Sequence, residues 1–306
     1  MYPTVSVDAA SAEDIEHLGA KPKFWFTREG KRFLFKAENR NTGEDWAEKI
    51  VCELARHLGL PHVHYELAQE VGGYAHLGVV CERFVDSSQA FLMGNQLLFQ
   101  RDESYPHDQR YRVKAHTVKA VLKAVTELAM PSQQWLSGIP AGIHTAVDVF
   151  VGYVMLDAWV ANQDRHHQNW GAIADGNVLR LGPTFDHGAS LARNLQDSER
   201  AARLQTRDRG QGIENFAERA RTAFYPESGG TRTLLTFEAF DLFKAAAPAP
   251  AAAEAWLLQL KAISRATIQN TIIQVPPHRM TPTTRAFTLR LLQLNQQRLL
   301  ETEPKS

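Results

Sequence analysis

The chain has 306 residues, enough for one large domain or two lobes, and its 34 Lys plus Arg are balanced by 34 Asp plus Glu. That balance excludes a global field favouring nucleic acid or an anionic membrane surface. The start, Met1-Tyr2-Pro3-Thr4-Val5-Ser6, has no basic apolar leader, and the most apolar stretch, 147–160, is short and interrupted by Asp148 and Asp157. Cys52 and Cys81 have neither metal-ligand spacing nor a disulfide-rich setting, so both are expected as buried thiols in a soluble, cytoplasmic protein.

Along the chain, Lys21 to Phe26 and Lys31 to Ala37 flank Glu29-Gly30, a hairpin signal between two aromatic strands. Period-two alternation puts Leu34 and Lys36 on one face and Phe33 and Phe35 on the other, and a lysine in an apolar strand needs a partner. The next element supplies candidates. Thr42 and Asp45 read as a capping box for a helix with Trp46, Ile50, Leu54 and Leu58 at steps of four, closed by Gly59 and Pro61. Glu48 borders that stripe, and Glu44 lies one turn earlier. Two further strands are expected over 63–68 and 76–84, the second running into Glu82-Arg83-Phe84, where a nucleotide enzyme would offer main-chain groups and an apolar ring to a base.

Residues 87–108 read as an irregular polar passage, 113–130 as a helix, and 147–160 as a buried helix that gives out at the octet Asn162-Gln163-Asp164-Arg165-His166-His167-Gln168-Asn169. Two short strands joined at Asp175-Gly176 come next, then Thr184-Phe185-Asp186-His187-Gly188. A carboxylate five residues before a carboxamide, with a second carboxylate seventeen residues later, suits phosphoryl transfer from a metal–nucleotide complex. Such chemistry needs a group that orients the attacking hydroxyl and oxygen ligands that fix Mg²⁺. Asp164 takes the first role, Asn169 and Asp186 the second, and His166 holds the loop by donating a hydrogen bond. The charged stretch 198–210 reads as a solvated loop, 245–253 as an Ala/Pro linker, and the remainder as packing helices with Thr281 or Thr283 as a cap.

These residues resemble the HipA-like kinases, bacterial serine/threonine kinases of protein-kinase-related fold that are often the toxin of a toxin–antitoxin pair. Gly19-Ala20-Lys21-Pro22-Lys23 resembles the family's phosphate loop, Lys36 its ATP-binding lysine, Glu48 its helix glutamate, and Glu82-Arg83-Phe84 its hinge. Asn162-x-Asp164-x-His166-x-x-Asn169 is the most specific match, and Asp186 stands at its metal-binding aspartate. The resemblance implies an α+β, two-lobed fold, with a β-rich lobe over 1–86 and a mainly helical lobe over 87–306. It also implies ATP and Mg²⁺ as cofactors, a protein Ser/Thr acceptor, and as partner an antitoxin or a separate small protein equivalent to the N-terminal subdomain of longer members. Neither a membrane nor direct nucleic-acid contact is expected. His17-Leu18 stands where members often carry an autophosphorylated Ser or Thr, so that control is not carried over. Two alternatives stay beside this reading: a lipid or small-molecule kinase of related fold, suggested by Asp-His-Gly, and a hydrolase with a transition metal held by His166, His167, His187, Asp164 and Asp186.

Overall fold

A six-stranded sheet crossed by one helix makes up the N-terminal third of the computed structural model, which describes residues 1–15, 22–38, 42–246 and 250–301. Its strands are β1 (Thr4–Asp8), β2 (Asp14–Ile15), β3 (Lys23–Arg28), β4 (Lys31–Ala37), β5 (Glu66–Val71) and β6 (Leu77–Glu82), with α1 (Glu44–Leu58) between β4 and β5. They lie in the order β1-β5-β6-β4-β3-β2, antiparallel except where β1 joins β5 in parallel. Glu29 and Gly30 form the β3–β4 turn with φ of 53° and 75°, the doubly left-handed geometry that matches strand twist in a two-residue hairpin. The alternation in β4 holds. Phe35 and Ala37 pack with Val7, Phe24, Phe26 and Val80 on one face, while Leu34 lies on the other against Tyr65, Leu67 and Cys81, beneath α1.

The cap of α1 differs from expectation. Gly43, with φ 75°, is the N-cap residue, and the Thr42 hydroxyl finds no partner among the described residues. Gly43 donates its N–H to a Glu38 carboxylate oxygen at 3.1 Å. A Cβ on Gly43 would lie 2.2 Å from the Trp46 indole nitrogen, so glycine is required by space as well as by φ. The C-terminal stop is as expected, with Gly59 left-handed at φ 72°.

The rest of the chain is mainly helical: α2 (Gly94–Arg101), α3 (Val118–Thr126), α4 (Ala146–Val160), α5 (Asp197–Gln205), α6 (Ile213–Ala217), α7 (Thr236–Ala246), α8 (Pro250–Ala262), α9 (Arg265–Ile273) and α10 (Pro282–Glu301). A small antiparallel sheet of β7 (Ala90–Met93), β8 (Gly171–Asp175) and β9 (Val178–Leu181) lies among them. Three expectations are corrected. The passage 87–108 contains β7 and α2, because Ala90 to Met93 pair with Gly171 to Ala174. The charged stretch from 198 begins in a helix, α5, whose buried Arg200 donates to the Ala192 and Arg193 carbonyls. The Ala/Pro segment is helical on both sides of 247–249, with Ala252 and Ala253 buried. Thr281 caps α10, accepting from the Thr284 N–H at 3.1 Å.

All fifteen residues of α4 are buried, capped by Thr145 with Asp148. The core around α4 also includes Trp46, Ile50 and Leu54, so α1 packs on the sheet and on the helical core at once. Arg279, fully buried, joins the two regions by donating to Asp45 and to the Ala68 and Gly78 carbonyls. Among the described residues no helix is long and apolar enough to cross a membrane.

Candidate active site

Where α4 ends, Ala161 turns left-handed with φ 54° and the polar octet begins. A knot of buried charge fixes the conformation of this loop. Arg165 donates from Nε to Asp157 Oδ2 at 2.7 Å and from Nη2 to Asp157 Oδ1 at 2.8 Å, and its Nη1 donates to the Asn169 carbonyl at 2.7 Å. Nη2 also reaches Thr184 Oγ1 at 2.9 Å, which ties the octet to the segment carrying Asp186. Asn162 donates to the same Asp157 at 2.8 Å and accepts from the Asp164 N–H at 3.2 Å. Asn169 Nδ2 donates to the Asp164 carbonyl at 2.7 Å, which sets the amide orientation and leaves Oδ1 as the acceptor. The interruption of an apolar helix by Asp157 was the sequence signal for this knot, and its partner Arg165 was not legible.

His166 does act within the loop, but as an acceptor: its Nδ1 takes the Gln168 N–H at 3.1 Å. The proton therefore resides on Nε2, a buried donor without a hydrogen-bond partner among the described residues, 3.8 Å from Asp164 Oδ1. Burial, with the nearby Arg110 and Arg165 charges, lowers this imidazole to about 4, so it is neutral. His167 instead meets the Tyr105 hydroxyl at 2.8 Å, and His187 Nε2 meets Thr184 Oγ1 at 2.8 Å. The three histidines thus serve separate networks, which removes the basis for the expected alternative of a shared transition-metal centre.

Lys36 joins the two ends of the site. Its ammonium lies 2.8 Å from Asp186 Oδ1 and 3.6 Å from Glu48 Oε2. Burial disfavours the charge, but Asp186, Tyr65 and Glu48 outweigh it and hold Lys36 well above the ordinary lysine range. Glu48 is pulled below its usual value because Lys36 and a hydrogen bond from His187 overcome its own burial. The His187 main-chain N–H donates to Glu48 Oε1 at 2.8 Å, so one carboxylate holds the lysine with one oxygen and the Asp186 turn with the other. Asp186 itself is left-handed at φ 59°, a conformation costing a non-glycine residue about 1–2 kcal/mol and typical of functional sites. Glu44, the second candidate partner of Lys36, pairs instead with Arg193 at 2.9 Å.

Lys36 and Asp186 stand on the shared wall of two adjoining cavities. One, of about 480 Å³, has an apolar side of Leu34, Tyr65, Phe84, Phe91 and Phe185, and also meets His166 and Asn169. The other, of about 280 Å³, is polar and includes Glu48, Asp164, Gly188 and Arg193. Lys23, opposite Lys36 in the β3–β4 register, lines both, as does Arg110, which sequence reasoning missed. Phe84 meets Phe91 edge-on at 5.4 Å and Phe185 at 6.1 Å. The Glu82 side chain is exposed and pairs with Lys31 at 3.0 Å. Because the Arg83 N–H bonds to the Arg32 carbonyl, antiparallel alternation turns the Glu82 main chain away from β4. Gly19, Ala20 and Lys21 lie outside the described residues.

Residues 16–265 match the sequence model of a family described as "HipA-like C-terminal domain". Among solved structures, the Helicobacter pylori proinflammatory kinase CtkA is similar with a TM-score of 0.71 at 17% identity, covering 98% of this chain and 100% of that one. HipA of Shewanella oneidensis MR-1, from a toxin–antitoxin complex with HipB and operator DNA, is similar with a TM-score of 0.57 at 12% identity, covering 94% of this chain and 65% of that one. No curated protein matches the chain in sequence. At these identities the likeness establishes the fold, which is the kinase-like α+β architecture the sequence implied.

Proposed function

The chain belongs to the HipA-like C-terminal domain family, and we propose that it is an ATP- and Mg²⁺-dependent phosphotransferase acting on a serine or threonine hydroxyl of a protein. The observation that carries this reading is the bridge from Lys36 to both Glu48 and Asp186, which brings strand, helix and metal-candidate turn to one point. The residues fit the cofactors. Asn169 Oδ1 and the Asp186 carboxylate are hard oxygen donors of the kind Mg²⁺ takes, and the buried His166 Nε2–H is a donor suited to an anionic oxygen. The apolar wall of Phe84, Phe91 and Phe185 suits a purine, in a cavity within the usual range for small ligands of about 300–1,000 Å³.

When bound, the metal–nucleotide supplies the transferable phosphoryl group and spreads its charge. The chain's own residues then position. Lys36, kept charged by Asp186, Tyr65 and Glu48, offers its ammonium to phosphate oxygens, and the Glu82 and Phe84 segment receives the base. Asp164 orients the acceptor hydroxyl and takes its proton, from a loop held rigid by Arg165 and Asn169. Family membership and the toxin–antitoxin setting of the Shewanella relative support a toxin role with an antitoxin as partner. The test is transfer of labelled phosphate from ATP, with mapping of the phosphorylated residues. Wild type should label Ser or Thr, and Asp164→Ala and Asp186→Ala should fold but not label. Equal labelling by all three would overturn the assignment.

A further inference from the structure

Away from the cleft, Cys52, His62 and His64 bring three ligand atoms within 4.8 Å of one another, the one such group of His, Cys, Asp or Glu among the described residues. We propose that this group is a transition-metal site of the zinc class, with ligands Cys52 Sγ, His62 Nε2 and His64 Nδ1. It is separate from the cation site of the cleft.

Each of the three side chains already has the supporting partner that a metal ligand needs. His64 Nε2 meets Glu66 Oε1 at 2.7 Å, which places the proton there and leaves Nδ1, 3.8 Å from Cys52 Sγ, as the ligand. A carboxylate behind a histidine in this way both orients the ring and raises its basicity. His62 Nδ1 meets the Leu60 carbonyl at 2.7 Å, so its free nitrogen is Nε2. The Tyr65 N–H points at Cys52 Sγ at 3.4 Å, a donor that stabilises thiolate. Zinc–sulfur and zinc–nitrogen distances of about 2.3 and 2.0 Å put tetrahedral S and N ligands about 3.5 Å apart, so the 3.8 Å separation closes with a small side-chain rotation. Burial disfavours the charged form of His62. Burial also pushes the Cys52 thiol up to about 12, so the cation must displace its proton on binding. Cys52 is buried while His64 is exposed, which gives the ion an entry path and a fourth position open to water.

The placement gives the site leverage. Cys52 lies one helical turn after Glu48 on α1, and His62 forms a parallel bridge with Thr184, the hydroxyl that binds Arg165 and His187. A metal here would therefore clamp the helix that holds Lys36 to the segment that carries Asp186.

The test is zinc content by mass spectrometry after exposure to Zn²⁺ and exhaustive dialysis, with Co²⁺ substitution to look for the thiolate-to-cobalt charge-transfer band. Wild type should hold about one zinc per chain. Cys52→Ser and His64→Ala should each retain less than about a tenth of that, and Glu66→Gln should bind about 10–100-fold more weakly. His64 is exposed, so its variant tests the site even where replacing buried Cys52 prevents folding. Asp186→Ala should keep its zinc whether or not the proposed phosphotransfer is correct. Wild type without zinc, His64→Ala with a full complement, or loss of zinc in Asp186→Ala would each overturn the proposal.

Discussion

Replacing Arg165 by methionine isolates the interaction that sets the candidate catalytic loop. Both partners are buried, the side chains of Arg165 and Asp157 being 0% and 2% exposed. Methionine keeps much of the apolar stem but leaves Asp157, among the described residues, with only the Asn162 Nδ2 donor at 2.8 Å. At an effective dielectric of about 20, two charges about 2.8 Å apart attract by roughly 6 kcal/mol, part of which offsets the cost of taking them out of water. The net expectation is the value for breaking a buried pair on one side, about 3–5 kcal/mol lost in urea unfolding. In the double variant Asp157→Leu, Arg165→Met, no charge is stranded, so most of that stability should return. Phosphate transfer should not return with it, because the Asn169 carbonyl and Thr184 hydroxyl still lack their anchor, and a displacement of about 1 Å can cost about 10²-fold. A single variant within about 1 kcal/mol of wild type would refute the energetic argument. A double variant with full transfer would refute the positioning one.

Lys36→Met should fold but transfer phosphate about 10²–10³-fold more slowly, as expected for loss of one preorganised charge, and single-turnover labelling reads this directly. Gly43→Ala should destabilise by about 1–3 kcal/mol in urea unfolding, since it combines positive φ with a Cβ inside the Trp46 indole. Stability should also fall with acid. Burial holds His116 at about 3 and His166 and His167 at about 4, below the usual 6.5, so the native state stays neutral where the unfolded chain gains protons. That contribution is complete above about pH 6.5 and is lost as pH falls towards 4. Urea midpoints that stay level from pH 7 to 4.5 would contradict it.

What could be read in the sequence was what local pattern encodes. The alternation of β4 assigned Lys36 its face, the four-residue steps of α1 placed Glu48 near it, and the octet with Asp186 carried its spacing openly. Elements whose stability comes from distant partners were not legible. The strand β7 forms only because residues eighty positions later pair with it, and α5 is anchored through the stem and guanidinium of one buried arginine rather than an apolar stripe. The sequence offered Thr42 as the cap of α1, and only the folded position of the Trp46 ring shows why Gly43, with no side chain, takes that place. Cys52 likewise lacked a ligand pattern because His62 and His64 reach it from the far side of the Gly59 turn.

The deepest coupling in the site is also non-local. Glu48 Oε2 holds Lys36 while Glu48 Oε1 accepts from His187, the residue after a left-handed Asp186. A shift of α1 along or about its axis therefore releases the lysine and the Asp186 turn together. The same helix is packed on the sheet, on the core of α4 and, through Asp45, on Arg279 near the start of α10. The position of α1 thus bears on Lys36 and on the Asp186 turn together, while the Arg165–Asp157 knot sets the Asp164 loop from the other side.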